Sequence, residues 1–333
     1  MDSPNILLSS GGRRIGLLQC FRDSLRRRRQ HAEVSMTDAG TTAPLAFVAD
    51  RAHRVPRVGD PGYLAAVKKI CVESSIRLLV PTIDTELPVY APASAELCST
   101  GTTVAISGPD TVTICGDKVA THEWLTANGF PTVQQTTPAG ALAAGWRLPL
   151  IAKPRNGSAS LGVRKIETRL ELRALEERAG SAADPAKDMT IVQEIAEGKE
   201  FTINVYVNRA GRCICAVPHW RMETRGGEVS KGVTVKDAPL IALARQVAES
   251  LPGAWGPLNI QCFRSPAGAV KIIEINARFG GGYPLAHYAG ARFTDWLLDE
   301  IAGTIPAEFD DWTDDLGMLR YDEAIYLPGS QLR

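Results

Sequence analysis

The sequence predicts two fold classes in succession, an α/β unit followed by an α+β unit. Three observations carry this. Short apolar runs alternate with helical patterns over the first hundred or so residues. Beyond that point strand-like runs come in pairs around tight turns, and the helical patterns stand apart from those pairs. A chain of 333 residues exceeds one typical core and suits two or three compact units.

The elements follow in order. "NILLSS" from Asn5 reads as a strand and "GG" as a turn. Ile15 to about Arg28 reads as a helix, with Ile15, Leu17, Leu18, Phe21 and Leu25 on or near one face. "LAFVAD", "RLLVPTID" and "TVAISG" read as further strands. "YLAAVKKICVESS" and "ELPVYAPASAELC" are the intervening helices, the second interrupted by its prolines. This alternation predicts a parallel, doubly wound, Rossmann-like sheet ending near residue 110. The basic run Arg26 to Arg29 suits a solvated helix end, where cations meet C-terminal carbonyls, better than a phosphate patch.

From Gly116, "GDKVATHEWLTANGFP" reads as a helix closed by Gly129 and stopped by Pro131. "LIAKPRNGSASLGVRKIE" holds two strands around a Gly/Ser loop, followed by a helix near Arg169 to Arg178. "EFTINVYVNRAGRCICAVPHW" is a hairpin turned at "NRAG", and "GPLNIQCFRSPAGAVKIIEINAR" another turned at "SPAG". A helix from about Pro239 to Ser250 lies between them.

Bulk properties exclude several functions. Lys plus Arg (37) balances Asp plus Glu (37), so no global field favours nucleic acid or a membrane surface. The seven Cys show no metal-ligand spacing, and their odd number suits reduced thiols. The start, "MDSPNILLSSGGRR", places its apolar run before its basic residues, the reverse of a signal peptide. No run of about eighteen apolar residues occurs. The expectation is a cytoplasmic globular protein that binds neither nucleic acid nor membrane.

The last hairpin carries the first chemical signal. Glu274, Asn276 and Arg278 alternate along one strand, so they share a face of a sheet. Gln261 precedes Glu274 by thirteen residues and can lie beside it across the ladder. One carboxylate with amide oxygens suits a hard cation such as Mg²⁺, with Mn²⁺ as a substitute, completed by water and phosphate oxygens. Arg278 beside it can grip two phosphate oxygens at once. A polar strand face turned to water is the competing reading. In "IAKPRNGSASLGV", Lys153 ends a strand, and Gly157, Ser158 and Gly162 frame a loop whose backbone can close on phosphates. Gly157 and Gly162 have Walker spacing, but Val163-Arg164 follows where Lys-Ser/Thr is required, so this is no P-loop. In "IVQEIAEGKEF", a connector after Gln193, Glu194 and Ile195 can meet an adenine edge, and Glu200 can accept from ribose hydroxyls; a solvated inter-strand loop is the competing reading.

The ordered set Lys118, Lys153 with its glycine loop, "QEI…E" and Gln261…Glu274-x-Asn276-x-Arg278 resembles the ATP-grasp superfamily. The likeness is greatest to one synthetase unit of the carbamoyl phosphate synthetase large chain and to single-unit amino-acid or peptide ligases. It spans nearly the whole chain. It implies a pre-ATP-grasp domain (1–110), a lid subdomain (111–190) and a C-terminal grasp subdomain carrying the metal site (191–333). Lys118 and Lys153 are then phosphate-binding lysines, Gln193, Glu194 and Ile195 the adenine connector, and Glu200 the ribose acid. Gln261, Glu274 and Asn276 are the metal ligands. Gln261 replaces the acid that many amino-acid ligases carry and matches the amide of carbamoyl phosphate synthetase.

The resemblance implies an ATP-dependent carbon–nitrogen ligase that releases ADP and phosphate through an acyl phosphate. Bicarbonate or carbamate phosphorylation and non-catalytic ATP binding are the alternatives. Arg225 is preferred over Arg221 for the substrate carboxylate or oxyanion. Asp84 or Glu86 is expected at a substrate ammonium, because both follow a strand of the first sheet. Gly281 and Gly282, in the run Gly280 to Gly282, would let backbone approach the reacting group. Relatives are commonly dimers.

Overall fold

The computed structural model describes residues 3–157, 161–180 and 189–332. Ile6, Leu7 and Leu8 of β1 (Asn5–Ser9) are wholly buried, as a strand covered on both faces requires. β1 pairs in parallel with β2 (Val34–Asp38) and β4 (Ile76–Pro81). β3 (Ala52–Arg54) and β5 (Thr103–Val104) complete the order β3-β2-β1-β4-β5. Helices α1 (Ile15–Arg27), α2 (Tyr63–Glu73) and α3 (Leu87–Ser99) connect these strands. This is the doubly wound α/β unit that the alternation predicts.

Three local expectations change. "LAFVAD" is not a strand: Pro44–Phe47 forms a single 3₁₀ turn, begun by a proline that fixes φ and lacks an N–H for a ladder. The pairing falls instead to β3, a half-exposed edge strand with no apolar alternation to announce it. "TVAISG" pairs only over β5. α3 runs unbroken through Pro92, which removes one intrahelical bond while Tyr90, Ala91, Ala93 and Leu97 hold that helix in the core.

Next come α4 (Pro109–Gly116) and α5 (Lys118–Ala127). Asp117 caps α5 by accepting from the Val119 and Ala120 N–H groups, and pairs with Arg155 at 2.6 Å. A small antiparallel sheet follows, with strands β6 (Gln135–Thr136), β7 (Leu150–Pro154), β8 (Arg164–Ile166) and β9 (Thr190–Glu194) in the order β6-β9-β7-β8. α6 (Pro138–Ala143) and α7 (Arg169–Gly180) cover it through Ala141, Leu172 and Leu175. A boundary at residue 190 would cut β9, whose pairing with β7 carries this sheet to Glu194.

The third sheet contains β10 (Lys199–Val207), β11 (Cys213–Arg225), β12 (Glu228–Thr234), β13 (Gly256–Arg264), β14 (Val270–Asn276) and β15 (Gly317–Leu319). Its order is β14-β13-β10-β11-β12-β15. Phe201, Ile203, Val205, Leu258 and Ile260 join the core that also holds Leu240, Ala244 and Val247 of α8 (Ala238–Ser250). Alternation then turns Glu200, Thr202, Asn259 and Gln261 toward the opposite side. α9 (Tyr283–Tyr288) and α10 (Phe293–Ile301) pack beside α1, where the Ser24 and Thr294 hydroxyls meet at 2.7 Å. Among the described residues no helix is long and apolar enough to cross a membrane, and all seven Cys are free thiols.

Candidate active site

A cleft of about 310 Å³ opens between the second and third sheets. Lys118, Ile151, Lys153 and Gly157 line it from one side, and Glu200, Gln261, Phe263 and Glu274 from the other. Gln193, Glu194 and Ile195 line the connecting edge. Lys118 donates to the Gly157 carbonyl at 2.7 Å, which ties the start of α5 to the loop after β7. Ser158 lies outside the described residues; Gly157 (φ 113°) and Gly162 (φ 73°) adopt backbone conformations that favour glycine. Burial lowers the Lys153 ammonium to about 8; Glu274 opposes the shift and Lys118 adds to it.

Gln193 donates to the Gln135 side chain at 2.7 Å. The Glu194 carboxylate is taken up by the Gln134 N–H at 2.8 Å and Lys271 at 2.6 Å. An adenine edge would therefore meet the backbone of Ile195 and Ala196, past the last ladder pair of β9. Glu200 pairs with the largely buried side chain of Arg221 at 3.0 Å, while burial first, then Glu274, raise its pKa against the pull of Arg221.

Gln261 stands directly opposite Glu274, and Asn259 opposite Asn276. A register shift between Gln261 and Cys262 leaves Ile273 without a partner. Such a bulge breaks strict alternation, and Ile273 and Glu274 both face the cleft. Among the described residues no hydrogen bond or ion pair satisfies the Glu274 carboxylate, although it stands near Lys153 and Glu200. Asn276 donates to Asn259 at 3.3 Å and accepts from Arg278 at 3.4 Å, which leaves its oxygen with acceptor capacity. One uncompensated carboxylate flanked by two amides fits a hard cation that draws its other oxygens from phosphates. Among the described residues no cluster of three His, Cys, Asp or Glu offers a full protein cage.

A second cavity of about 180 Å³ adjoins the first, and Arg221, Gln261 and Glu274 line both. Asp84, Arg278, Gly281 and Gly282 line it as well. Asp84 pairs with Arg278 at 2.5 Å, joining the end of β4 to the end of β14. Arg278 also donates to the Phe279 carbonyl at 3.1 Å, while its Nε has no hydrogen-bond partner among the described residues. A Cβ on Gly281 would collide with the Glu228 carboxylate, and one on Gly282 would fall 2.8 Å from Val229 and 2.9 Å from His219. The glycines thus admit neighbouring side chains to this wall.

Two expected substrate residues lie elsewhere. Arg225 is exposed, pairs with Asp322 at 2.8 Å, and lines neither cavity. Its place is taken by Arg221, because the β11–β12 ladder slips between Arg221 and Glu223 and again before Thr224. That slip breaks the alternation that would put residues four apart on one face. Glu86 is wholly buried inside the first unit, where it accepts from Ser10 at 2.8 Å, from the Thr82 N–H at 3.2 Å and from Tyr63. Burial raises the pKa of that carboxyl against those donors. It has no opening to a ligand.

Several lining residues escaped sequence reasoning. Arg14 follows the glycines after β1, where ligands gather at strand ends, so its position was a usable signal. It pairs with Glu228 at 3.0 Å and donates to the Thr82 carbonyl at 3.2 Å. His219 is wholly buried; burial, then Arg221, lower it to about 3, so it is neutral. Its Nδ1 meets Asn204 at 3.3 Å and its Nε2 has no hydrogen-bond partner among the described residues. Nothing in a lone histidine pointed to this cavity.

Comparison with known proteins agrees with this architecture. Residues 6–105 match the family described as PylC-like, N-terminal domain, and residues 115–282, about half of the chain, match the ATP-grasp domain. No curated protein sequence matches the chain. Among solved structures, the biotin carboxylase domain of Hydrogenobacter thermophilus 2-oxoglutarate carboxylase, a dimer in complex with MgADP, ADP and bicarbonate, superposes with a TM-score of 0.74 at 17% identity. The match covers 95% of this chain and 74% of that one. L-amino acid ligase from Bacillus licheniformis gives 0.70 at 19% identity, over 95% and 80% of the two chains. N5-carboxyaminoimidazole synthetase from Staphylococcus aureus gives 0.67 at 15%, over 92% and 79%. With its sequence match, three-sheet architecture and lysine-facing carboxylate taken together, the chain belongs to the ATP-grasp family.

Proposed function

We propose that the protein is an ATP-dependent, ADP-forming carboxylate–amine ligase acting on amino-acid-like substrates. The observation that carries this reading is the shared wall: the unpaired Glu274 carboxylate borders the lysine-lined cleft and the second cavity at once. Nucleotide on one side and a carboxylate on the other would meet there. Lys118 and Lys153 would hold phosphate oxygens, and Glu274, Gln261 and Asn276 would hold Mg²⁺, which when bound neutralises the charge of the phosphates. Arg278 would orient the carboxylate of the donor substrate through its fork.

Phosphoryl transfer to that carboxylate makes an acyl phosphate. The amine nitrogen then attacks the carbonyl carbon, the C–N bond forms, the C–O bond to phosphate breaks, and hydrogen phosphate leaves with the amine's proton. The protein's share is positioning and charge placement. Incubation with Mg²⁺, ATP and amino acids singly and in pairs should release ADP and phosphate with an amide-linked product in the mass spectrum. AMP as the nucleotide product would overturn the reading. The second reading is phosphorylation of a one-carbon acid, which the bicarbonate bound in the Hydrogenobacter structure favours. It predicts phosphate release driven by bicarbonate without any amino acid.

A further inference from the structure

A third cavity of about 150 Å³ continues the second: Arg14, Ile83, Glu228, Gly280 and Gly281 line both. Its remaining walls come from three distant parts of the chain. Ser10 to Arg14 and Gly16 bring the entry of α1, Pro284 the start of α9, and Arg320 the segment after β15. Gly16 lets this wall close, since a Cβ there would stand 3.0 Å from Pro284.

Among the described residues Glu228 is the one carboxylate lining this cavity, beside Arg13, Arg14 and Arg320. Glu228 bridges Arg14 at 3.0 Å and Arg320 at 2.8 Å. Arg320 also donates to the Gly281 carbonyl at 2.6 Å. The start of α1 has no side-chain cap and no acidic residue in its first turn, so its positive end faces the cavity uncompensated. Asp84 is committed to Arg278 and Glu200 to Arg221. On the walls of the third cavity three guanidinium groups, of Arg13, Arg14 and Arg320, thus face one carboxylate, Glu228, which leaves room for a further negative charge. On the adjoining second cavity two buried polar atoms, Arg278 Nε and His219 Nε2, have neither a hydrogen-bond nor an ion-pair partner among the described residues.

Resting on the ligase reading above, we propose that this chamber seats the amine substrate by a carboxylate that does not react. That carboxylate lies between Arg14, Arg320 and the start of α1, and Glu228 is the counter-ion that gives way to it. The amine then points along the chamber toward Arg278 and the shared wall. The ligand class is an α-amino acid or the C-terminal end of a short peptide, and a simple amine is a poor acceptor.

The test is a competition within one reaction. The full-length protein is given Mg²⁺, ATP, the twenty standard amino acids and their carboxamides at equal concentration, and products are counted by mass spectrometry. Products ending in a free carboxylate should exceed those ending in an amide at least tenfold. Arg320→Gln, on a half-exposed side chain, should bring that ratio toward one while the Kd for ADP stays within twofold. Because the ratio is internal, a general loss of activity does not move it. Equal incorporation of acids and amides by the unaltered protein, or an unchanged ratio in Arg320→Gln, overturns the seat and leaves the ligase standing. Absence of both product types overturns the ligase reading and this proposal with it.

Discussion

Lys153 shows how a residue of the proposed nucleotide cleft opposes stability. Its ammonium lies buried where the nucleotide phosphates would sit, and its fall from 10.5 to about 8 corresponds to up to ~3 kcal/mol at roughly 1.4 kcal/mol per pKa unit. The sign is fixed by the direction of the shift. Between about pH 8 and 10.5 the unfolded chain binds the proton that the folded one has lost, so the penalty is full below pH 8 and fades above it. Lys153→Met should therefore raise the denaturant-derived stability of the nucleotide-free protein at pH 7 by ~1–3 kcal/mol, with the gain shrinking toward pH 10. Binding reads the same group differently. The Kd for ADP, measured calorimetrically, should stay flat from pH 7 to 8 and rise above it by up to about tenfold per unit, because phosphate stays ionised there while the lysine does not. A flat profile through pH 9.5 would contradict the assignment. Glu274→Ala removes the unpaired carboxylate of the shared wall and should lower kcat by at least about a hundredfold.

Among the elements, the β13–β14 hairpin was the most legible, because "SPAG" sets the turn and so brings Gln261 and Glu274 side by side, although the turn's own register points Gln261 at Ile273 and the bulge there moves Glu274 into its place. The strand–helix alternation of the first unit was legible for the same kind of reason: periodicity is written in consecutive residues. Bulges are not. The slip in β11 that exposes Arg225 and buries Arg221, and the unpaired Ile273 beside Glu274, depend on what a neighbouring strand allows. Edge strand β3 carries no apolar pattern, and Arg320 reaches the site only because β15 pairs with β12. The turn before β10 has one strict requirement. Gly198 sits at φ 104°, and a Cβ there would strike the Arg264 carbonyl and Ser265. Gly198→Ala should cost about 2 kcal/mol or more in chemical denaturation, since neither backbone can yield without breaking the β10–β13 ladder.

Across the whole molecule, few charged contacts join the first unit to the third sheet at the site, and Asp84–Arg278 and Arg14–Glu228 are two of them. Both lie on cavity walls, so the relative placement of the two units and the shape of the chamber are one property. Asp84→Asn should lower kcat/KM for the carboxylate substrate by about tenfold or more, the worth of a hydrogen bond to a charged group, while the Kd for ADP is unchanged, because Lys118 and Lys153 lie on the far side of the shared wall. Loss of ADP binding in that variant would mean that the pair supports the fold at large. The adjoining of the first two cavities carries one more consequence. If the carboxylate attacks phosphorus across that partition, one of its own oxygens departs with the inorganic product, so a donor enriched in oxygen-18 must pass a single heavy atom to each phosphate ion released.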